Sequence, residues 1–124
     1  MRIVIQRVSH ASVTINGTVK SQIDKGFLVL LGIEEKDASE DIEWLCKKII
    51  GLRVFDDSEG VMNRSIIDEN GDILVISQFT LMASYKKGNR PSYIRAAKHE
   101  ISIPLYNEFC AKLSLSLGKE VKTG

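Results

Sequence analysis

The sequence is poor in the residues that usually carry reaction chemistry. Among its 124 residues are two cysteines and two histidines. Cys46 and Cys110 do not form a CxxC pair, which removes the common zinc and dithiol motifs. His99-Glu100-Ile101-Ser102-Ile103 begins like an HExxH helix but lacks the second histidine, and one imidazole with one carboxylate does not hold zinc. His10 reads as a solvated residue at a strand end. GxGxxG and GxxxxGK[ST] are both missing, so neither a dinucleotide nor a P-loop nucleotide is signalled and no cofactor is expected. The absence of GxSxG excludes a nucleophile elbow. Asp56, Asp57 and Glu59 lack the spacing and terminal glutamate of a calcium loop and read as a polar turn. No apolar run approaches the roughly 20 residues that span a bilayer. Arg2 and Arg7 interrupt the start, where a secretory leader would be uninterruptedly apolar. A cytoplasmic protein with two reduced core thiols is therefore expected. Excess charge of one sign is also lacking: 17 basic residues face 16 acidic ones, a net charge of +1. Only the local distribution of charge can point to an anionic partner.

What is present reads as one α+β domain over residues 1–124. Arg2–Ser9 is rich in β-formers, and Ala11–Ile15 alternates into Asn16-Gly17, a hairpin turn signal. Thr18–Ile23 is the return strand, and Phe27–Ile33 is an apolar run suited to a strand covered on both faces. Asp37, with Glu40 three residues on, predicts a capped helix whose stripe is Ile42, Leu45, Cys46, Ile49 and Ile50. A short strand at Arg53–Phe55, a second hairpin at Asn70-Gly71 and a buried strand at Ile73–Ile76 follow. A second helix is predicted over Ser102–Leu117, with Pro104 in its first turn, a stripe of Leu105, Phe109, Leu113 and Leu117, and Gly118 as its stop. Glu120–Lys122 begins a final strand. The order implies a mainly antiparallel, barrel-like sheet with two helices packed outside.

Two segments stand out chemically. Ser77-Gln78-Phe79-Thr80-Leu81 follows a buried strand, where the chain leaves its ladder. Backbone N–H groups freed there can face a ligand oxygen and act as an oxyanion hole. The bland reading is a strand end whose hydroxyls bond the local backbone. The second segment, residues 86–98, holds Lys86, Lys87, Arg90, Arg95 and Lys98 and no acid. Gly88 and Pro91 shape a loop and Tyr93 adds an aromatic. Lys86, Lys87 and Arg95 are candidates for RNA phosphate contact, and a solvated basic loop is the alternative.

With these two segments the sequence resembles the D-aminoacyl-tRNA deacylase family. The resemblance rests on SQFTL and GNRPSY, on Ile5-Gln6-Arg7-Val8 through Ala11-Ser12-Val13, on GFLVLLG (26–32) and on FDDSEGVMN (55–63). It runs through the whole chain at matching spacing. It implies the family's barrel-like fold, a homodimer, and hydrolysis of the ester joining a D-amino acid, or mischarged glycine, to tRNA. It matches Ser77, Gln78, Phe79 and Thr80 to the active-site motif and Arg7 to an arginine supporting the pocket. Phe79, Arg90 and Pro91 join Arg7 as substrate-side candidates. It also implies catalysis by backbone contacts and the neighbouring ribose 2′-OH rather than by a Thr80 acyl-enzyme, since no base lies near Thr80 in sequence. No membrane or DNA partner is expected. The family carries a second motif, Asn-x-Gly-Pro-x-Thr, whose cis Gly-Pro peptide enters the partner's pocket and excludes L-residues by main-chain contact. The sequence ends at Gly124, before that motif, with Glu120–Lys122 expected to begin the strand leading to it. Three other readings stay open: a related editing domain that removes L-serine, a tRNA-binding module without catalysis, and a structural dimer without a ligand.

Overall fold

The computed structural model describes residues 1–84, 86 and 88–124. In chain order the strands are β1 (Arg2–Val8), β2 (Ala11–Ile15), β3 (Thr18–Ile23), β4 (Gly26–Gly32), β5 (Phe55–Asp56), β6 (Met62–Arg64), β7 (Asp72–Ser77) and β8 (Lys122–Thr123). The helices are α1 (Ser39–Gly51), between β4 and β5, and α2 (His99–Leu117), between β7 and β8.

Asn16 and Gly17 take φ of 51° and 77°, the left-handed pair that a two-residue hairpin turn needs. They join β2 to β3 as the sequence predicts. The apolar run of β4 is central. Phe27, Val29 and Leu31 are fully buried on one face, while Leu28 and Leu30 are half-buried on the other. β4 pairs antiparallel with β1 and parallel with β7, and β8 pairs parallel with β7, giving the order β1-β4-β7-β8. This sheet is mixed, not mainly antiparallel as expected. α1 and α2 supply the crossovers that parallel pairs require. Among the described residues the strands form three separate hydrogen-bonded sheets, with β2-β3 and β5-β6 each a pair.

Three local expectations fail. Asn70 adopts φ 51°, but Asn70-Gly71 closes no hairpin, because β7 pairs with β4 and β8. The position serves packing: a Cβ on Gly71 would lie 2.8 Å from the Ile66 side chain and 3.2 Å from the Lys25 carbonyl. Asp37 does not cap α1, which follows Ala38. Its carboxylate accepts the Glu34 N–H at 2.7 Å, and Asp41 accepts the Ala38 N–H at 2.9 Å. α2 begins at His99, three residues early, so Pro104 lies in its second turn. Gly118, at φ 86°, ends α2 as expected, with its N–H donated to the Ser114 carbonyl at 3.0 Å.

The core joins one face of the sheet to both helices. Phe27, Val29, Leu31, Ile73 and Val75 meet Ile42, Cys46 and Ile49 of α1 and Phe109, Leu113 and Leu117 of α2. Each fully buried Phe or Leu contributes about 1.5–3 kcal/mol relative to exposure. Both cysteines are free, and burial pushes both thiols up to about 11. No described helix is long and apolar enough to cross a membrane.

The helices run in the same direction. Ser39 Oγ donates to Glu108 Oε1 at 3.1 Å, and Lys112 pairs with Glu43 at 2.9 Å. The first nine residues of α2 therefore project past the start of α1, by about 13 Å at 1.5 Å per residue. That overhang stands beside the end of β7.

Candidate active site

β7 ends at Ser77. One further link, the Gln78 N–H to the Leu31 carbonyl at 2.8 Å, ties the chain to β4. A one-turn 3-10 helix, Phe79–Met82, then turns the backbone away. It is closed by the Leu81 N–H to the Gln78 carbonyl (3.3 Å) and the Ala83 N–H to the Thr80 carbonyl (3.1 Å). The N–H groups of Phe79 and Thr80 have no protein acceptor among the described residues. Gly32 makes room for this turn: a Cβ there would lie 2.9 Å from Leu81 Cβ and 3.2 Å from the Gln78 carbonyl. Arg2 holds the turn from β1, donating to the Leu81 carbonyl at 2.9 Å.

Gln78 Nε2 donates to Thr80 Oγ1. Among the described residues no imidazole or carboxylate bonds that hydroxyl, so the base that a threonine nucleophile needs is not in place. Ser77 and Phe79 line a cleft of about 700 Å³, and Gln78 and Thr80 do not. The opposite wall comes from Tyr93, residues 96–98 and the overhanging turns of α2, with His99, Ser102, Ile103 and Tyr106. Phe79 is 58% exposed and meets Tyr93 edge to face, centroids 5.1 Å apart. Tyr106 donates to the Val75 carbonyl at 3.1 Å, and burial raises its phenol pKa, keeping it a neutral donor. The cleft is thus mostly apolar with a few polar groups, the usual make-up of a small-ligand site.

The basic segment is only partly drawn in. Ser84 and Ser92 exchange backbone hydrogen bonds of 2.7 and 2.8 Å, which close the loop between them. Within it Lys86 and Arg90 are exposed and Pro91 is half-buried. Lys87 lies outside the described residues. Arg95 is held by Glu34 through Nε (3.1 Å) and Nη2 (2.8 Å). The Ala97 N–H to the Ile33 carbonyl, 2.9 Å, seats the following residues on the cleft. Arg7 does not join the site within one chain. Ser77 aligns with Leu31 and hence with Ile3, whereas Arg7 aligns with Phe27. Four residues of strand, about 13 Å, separate the two levels. Arg7 instead donates to the Val54 carbonyl and lies 3.8 Å from Asp56.

Sequence reasoning missed His99, Ser102 and Tyr106 as cleft residues. The signal was there, since positions 99, 102, 103 and 106 share one helical face, but the incomplete zinc motif drew attention instead.

Residues 4–124 match the family model described as D-Tyr-tRNA(Tyr) deacylase. The chain belongs to this deacylase family. A D-aminoacyl-tRNA deacylase of Phocaeicola vulgatus is 73% identical over the whole chain, which spans 83% of that relative. One of Porphyromonas gingivalis is 60% identical over the same span. A solved structure named c-Myc DNA Unwinding Element Binding Protein superposes with a TM-score of 0.92 at 37% identity, covering 100% of this chain and 85% of that one. A probable eukaryotic D-amino acid tRNA deacylase shares the fold, with a TM-score of 0.76 at 18% identity over 94% of this chain and 68% of that one. Within the deacylase family, the names of these relatives denote ester hydrolysis, a reaction compatible with a site built on backbone donors.

Proposed function

We propose that the chain hydrolyses the ester of D-aminoacyl-tRNA, and of mischarged glycyl-tRNA, releasing the amino acid and tRNA as a proofreading step in the cytoplasm. The observation that carries this reading is the cleft built by Ser77 and Phe79 in a chain of this family. An aminoacyl ester is already activated, so positioning and charge stabilisation are sufficient help. Water attacks the ester carbonyl, the bond to the ribose oxygen breaks, and that oxygen takes the proton. The Phe79 N–H, which has no protein acceptor among the described residues, is the donor for the developing oxyanion. The adjacent ribose 2′-OH orders the water. Phe79 and Tyr93 offer aromatic surface to the terminal nucleoside or the amino-acid side chain. Lys86, Lys87 and Arg90 are assigned to the phosphates, with Pro91 shaping their loop. Arg95 has a weaker claim because Glu34 already neutralises it.

A homodimer fits the sheet face turned away from the helices, where Val4 is exposed and Leu28, Leu30 and Ile76 are half-buried beside the β2-β3 hairpin. A role for Arg7 in the pocket requires a second copy to bring it there. The barrel-like reading has one support: Ser21 Oγ of β3 donates to the Thr123 carbonyl of β8 at 2.6 Å, joining the hairpin to the edge of the main sheet.

The test is discharge of matched D-tyrosyl-tRNA and L-tyrosyl-tRNA by the 124-residue chain and by a version extended with the family's Asn-x-Gly-Pro-x-Thr strand. Hydrolysis confined to the D-ester is the expected result. Binding of tRNA without discharge by either version leaves an RNA-binding module and ends the enzyme reading. Preferential loss of L-serine from tRNA selects the related editing activity.

A further inference from the structure

The outer side of α1 carries an exposed indole among basic side chains. Trp44 is 61% exposed, and Lys48 Nζ lies 5.4 Å from its ring centroid. With Lys47, Leu52 and Arg53 these residues line a shallow hollow of about 450 Å³. Lys47, Lys48 and Arg53 make no ion pair among the described residues, whereas Lys112 is paired by Glu43, Lys25 and Arg64 by Glu69, Lys119 by Asp72 and Arg95 by Glu34. Arg53 is aimed by Asn63, whose backbone and side-chain oxygens both accept from the guanidinium. Of the acids nearby, Asp41 accepts the Ala38 N–H, Glu43 is paired by Lys112 and Asp68 accepts the Ser65 N–H, while Lys47 and Arg53 add their attraction to Glu43 and Asp68 without contact.

An exposed indole flanked by three unpaired cations complements a nucleic-acid strand. Phosphates neutralise the cations, and a base stacks on the ring. We infer that this surface binds the substrate tRNA away from its reactive end, with phosphates on Lys47, Lys48 and Arg53 and a base against Trp44. The inference rests on the reading that the cleft takes the aminoacyl end. Spacing supports one continuous footprint. The Glu43–Lys112 pair sets Trp44 level with Leu113 of α2, eleven residues beyond Ser102 of the cleft. That is about 16 Å along the helix axis, a minimum separation that a tRNA acceptor arm spans.

Trp44 is the single tryptophan of the chain, so emission excited at wavelengths where tyrosine does not absorb reports on this surface and not on Tyr93 or Tyr106 of the cleft. Uncharged tRNA is titrated into the intact protein, and KM and kcat are measured for D-tyrosyl-tRNA and for the D-tyrosyl ester of adenosine. The expected result is a saturable change in Trp44 emission. In a Lys47→Gln/Lys48→Gln variant, KM for the full tRNA rises about tenfold at physiological salt, and the salt slope of binding falls by about 1.4. kcat and the KM for the short ester stay unchanged. Trp44→Leu raises KM for tRNA about fivefold. Silent Trp44 emission, an unchanged KM for tRNA, or an equal effect on the short ester overturns the inference. So does an emission change with polyglutamate but none with tRNA, which points to an acidic protein partner. If no D-ester is discharged at all, the proposed function fails, and the fluorescence titration still judges this surface.

Discussion

The two ends of the β4-β7 pair are finished in opposite ways. Where the strands begin, polar groups are matched to one another. Glu69 bridges Lys25 and Arg64, both at 2.7 Å, and Lys119 meets Asp72 at 2.9 Å and the Asn70 carbonyl at 3.0 Å. Where they end, Ser77 and an exposed Phe79 line the cleft, and the N–H groups of Phe79 and Thr80 have no protein acceptor among the described residues. Both ends are polar strand termini beside a glycine. The difference teaches that exposure of polar groups does not identify a site; the absence of mutual partners around a shaped hollow does.

The sharpest way to break this comparison is to add a methyl group at each glycine. A Cβ at Gly26 would lie 1.8 Å from the Asp72 carbonyl oxygen. The two backbones must then part, so Gly26→Ala is expected to cost about 3 kcal/mol or more in urea unfolding. At the open end, the nearest atoms to a Cβ on Gly32 belong to Leu81 and Gln78. Gly32→Ala is expected to cost about 1–2 kcal/mol while displacing the turn that carries the free N–H groups, with discharge of D-tyrosyl-tRNA falling at least about tenfold. Equal stability costs with full activity at Gly32 would erase the asymmetry. Phe79→Ala removes a mostly exposed ring. Discharge should fall about tenfold through loss of substrate stacking, with unfolding free energy changed by under about 1 kcal/mol.

Thr80→Ala has a smaller expected effect, a loss of activity under about tenfold, because the hydroxyl is held by Gln78 and lacks a base. A loss of about a thousandfold with the fold intact would instead make Thr80 the nucleophile. The smallest effect belongs to the closed end. The Lys25 hydrogen bond, and then that from Arg64, hold the Glu69 carboxyl below its usual range. A depressed folded pKa contributes stability above the unfolded value, and that stability is lost as pH falls through the folded one. Glu69→Gln should therefore lower Tm slightly near neutral pH. The gap to the unchanged chain should close as pH drops below about 4, and added salt should shrink it.

Local chemistry was legible in the sequence wherever neighbouring residues decide the outcome. Asn16-Gly17, the core stripe of α2 and its Gly118 stop take the predicted forms, and the apolar run of β4 is a strand as expected, though fully buried on one face and half-buried on the other. The errors arise where distant residues decide. Asn70 does adopt a turn conformation, yet the partner of the strand that follows is β4, which no local pattern reveals. Asp37 has the right spacing for a cap, but its carboxylate is held by the Met1 ammonium 36 residues away as well as by the Glu34 N–H. The same division holds for the site. The SQFTL segment was visible as a polar strand end, and its neighbours on the α2 overhang were not, because only the tertiary fold brings residues 99–106 to Ser77. Arg7 shows the converse: a place in a family motif does not put it beside the other motif residues within one chain.

The parallel register of β4 and β7 also dictates an order of assembly. Gly26 pairs with Asp72, 46 positions later, whereas β2 and β3 are joined by two residues. The hairpin can close within microseconds on local information alone, but the strand that presents Ser77 is seated only after a long loop has closed and α1 has packed across it. A nascent chain therefore acquires its cleft among the last of its features. Because the cleft draws on Ile33, Ser77 and residues 93–106 together, it exists only once both parallel strands and the start of α2 are in place.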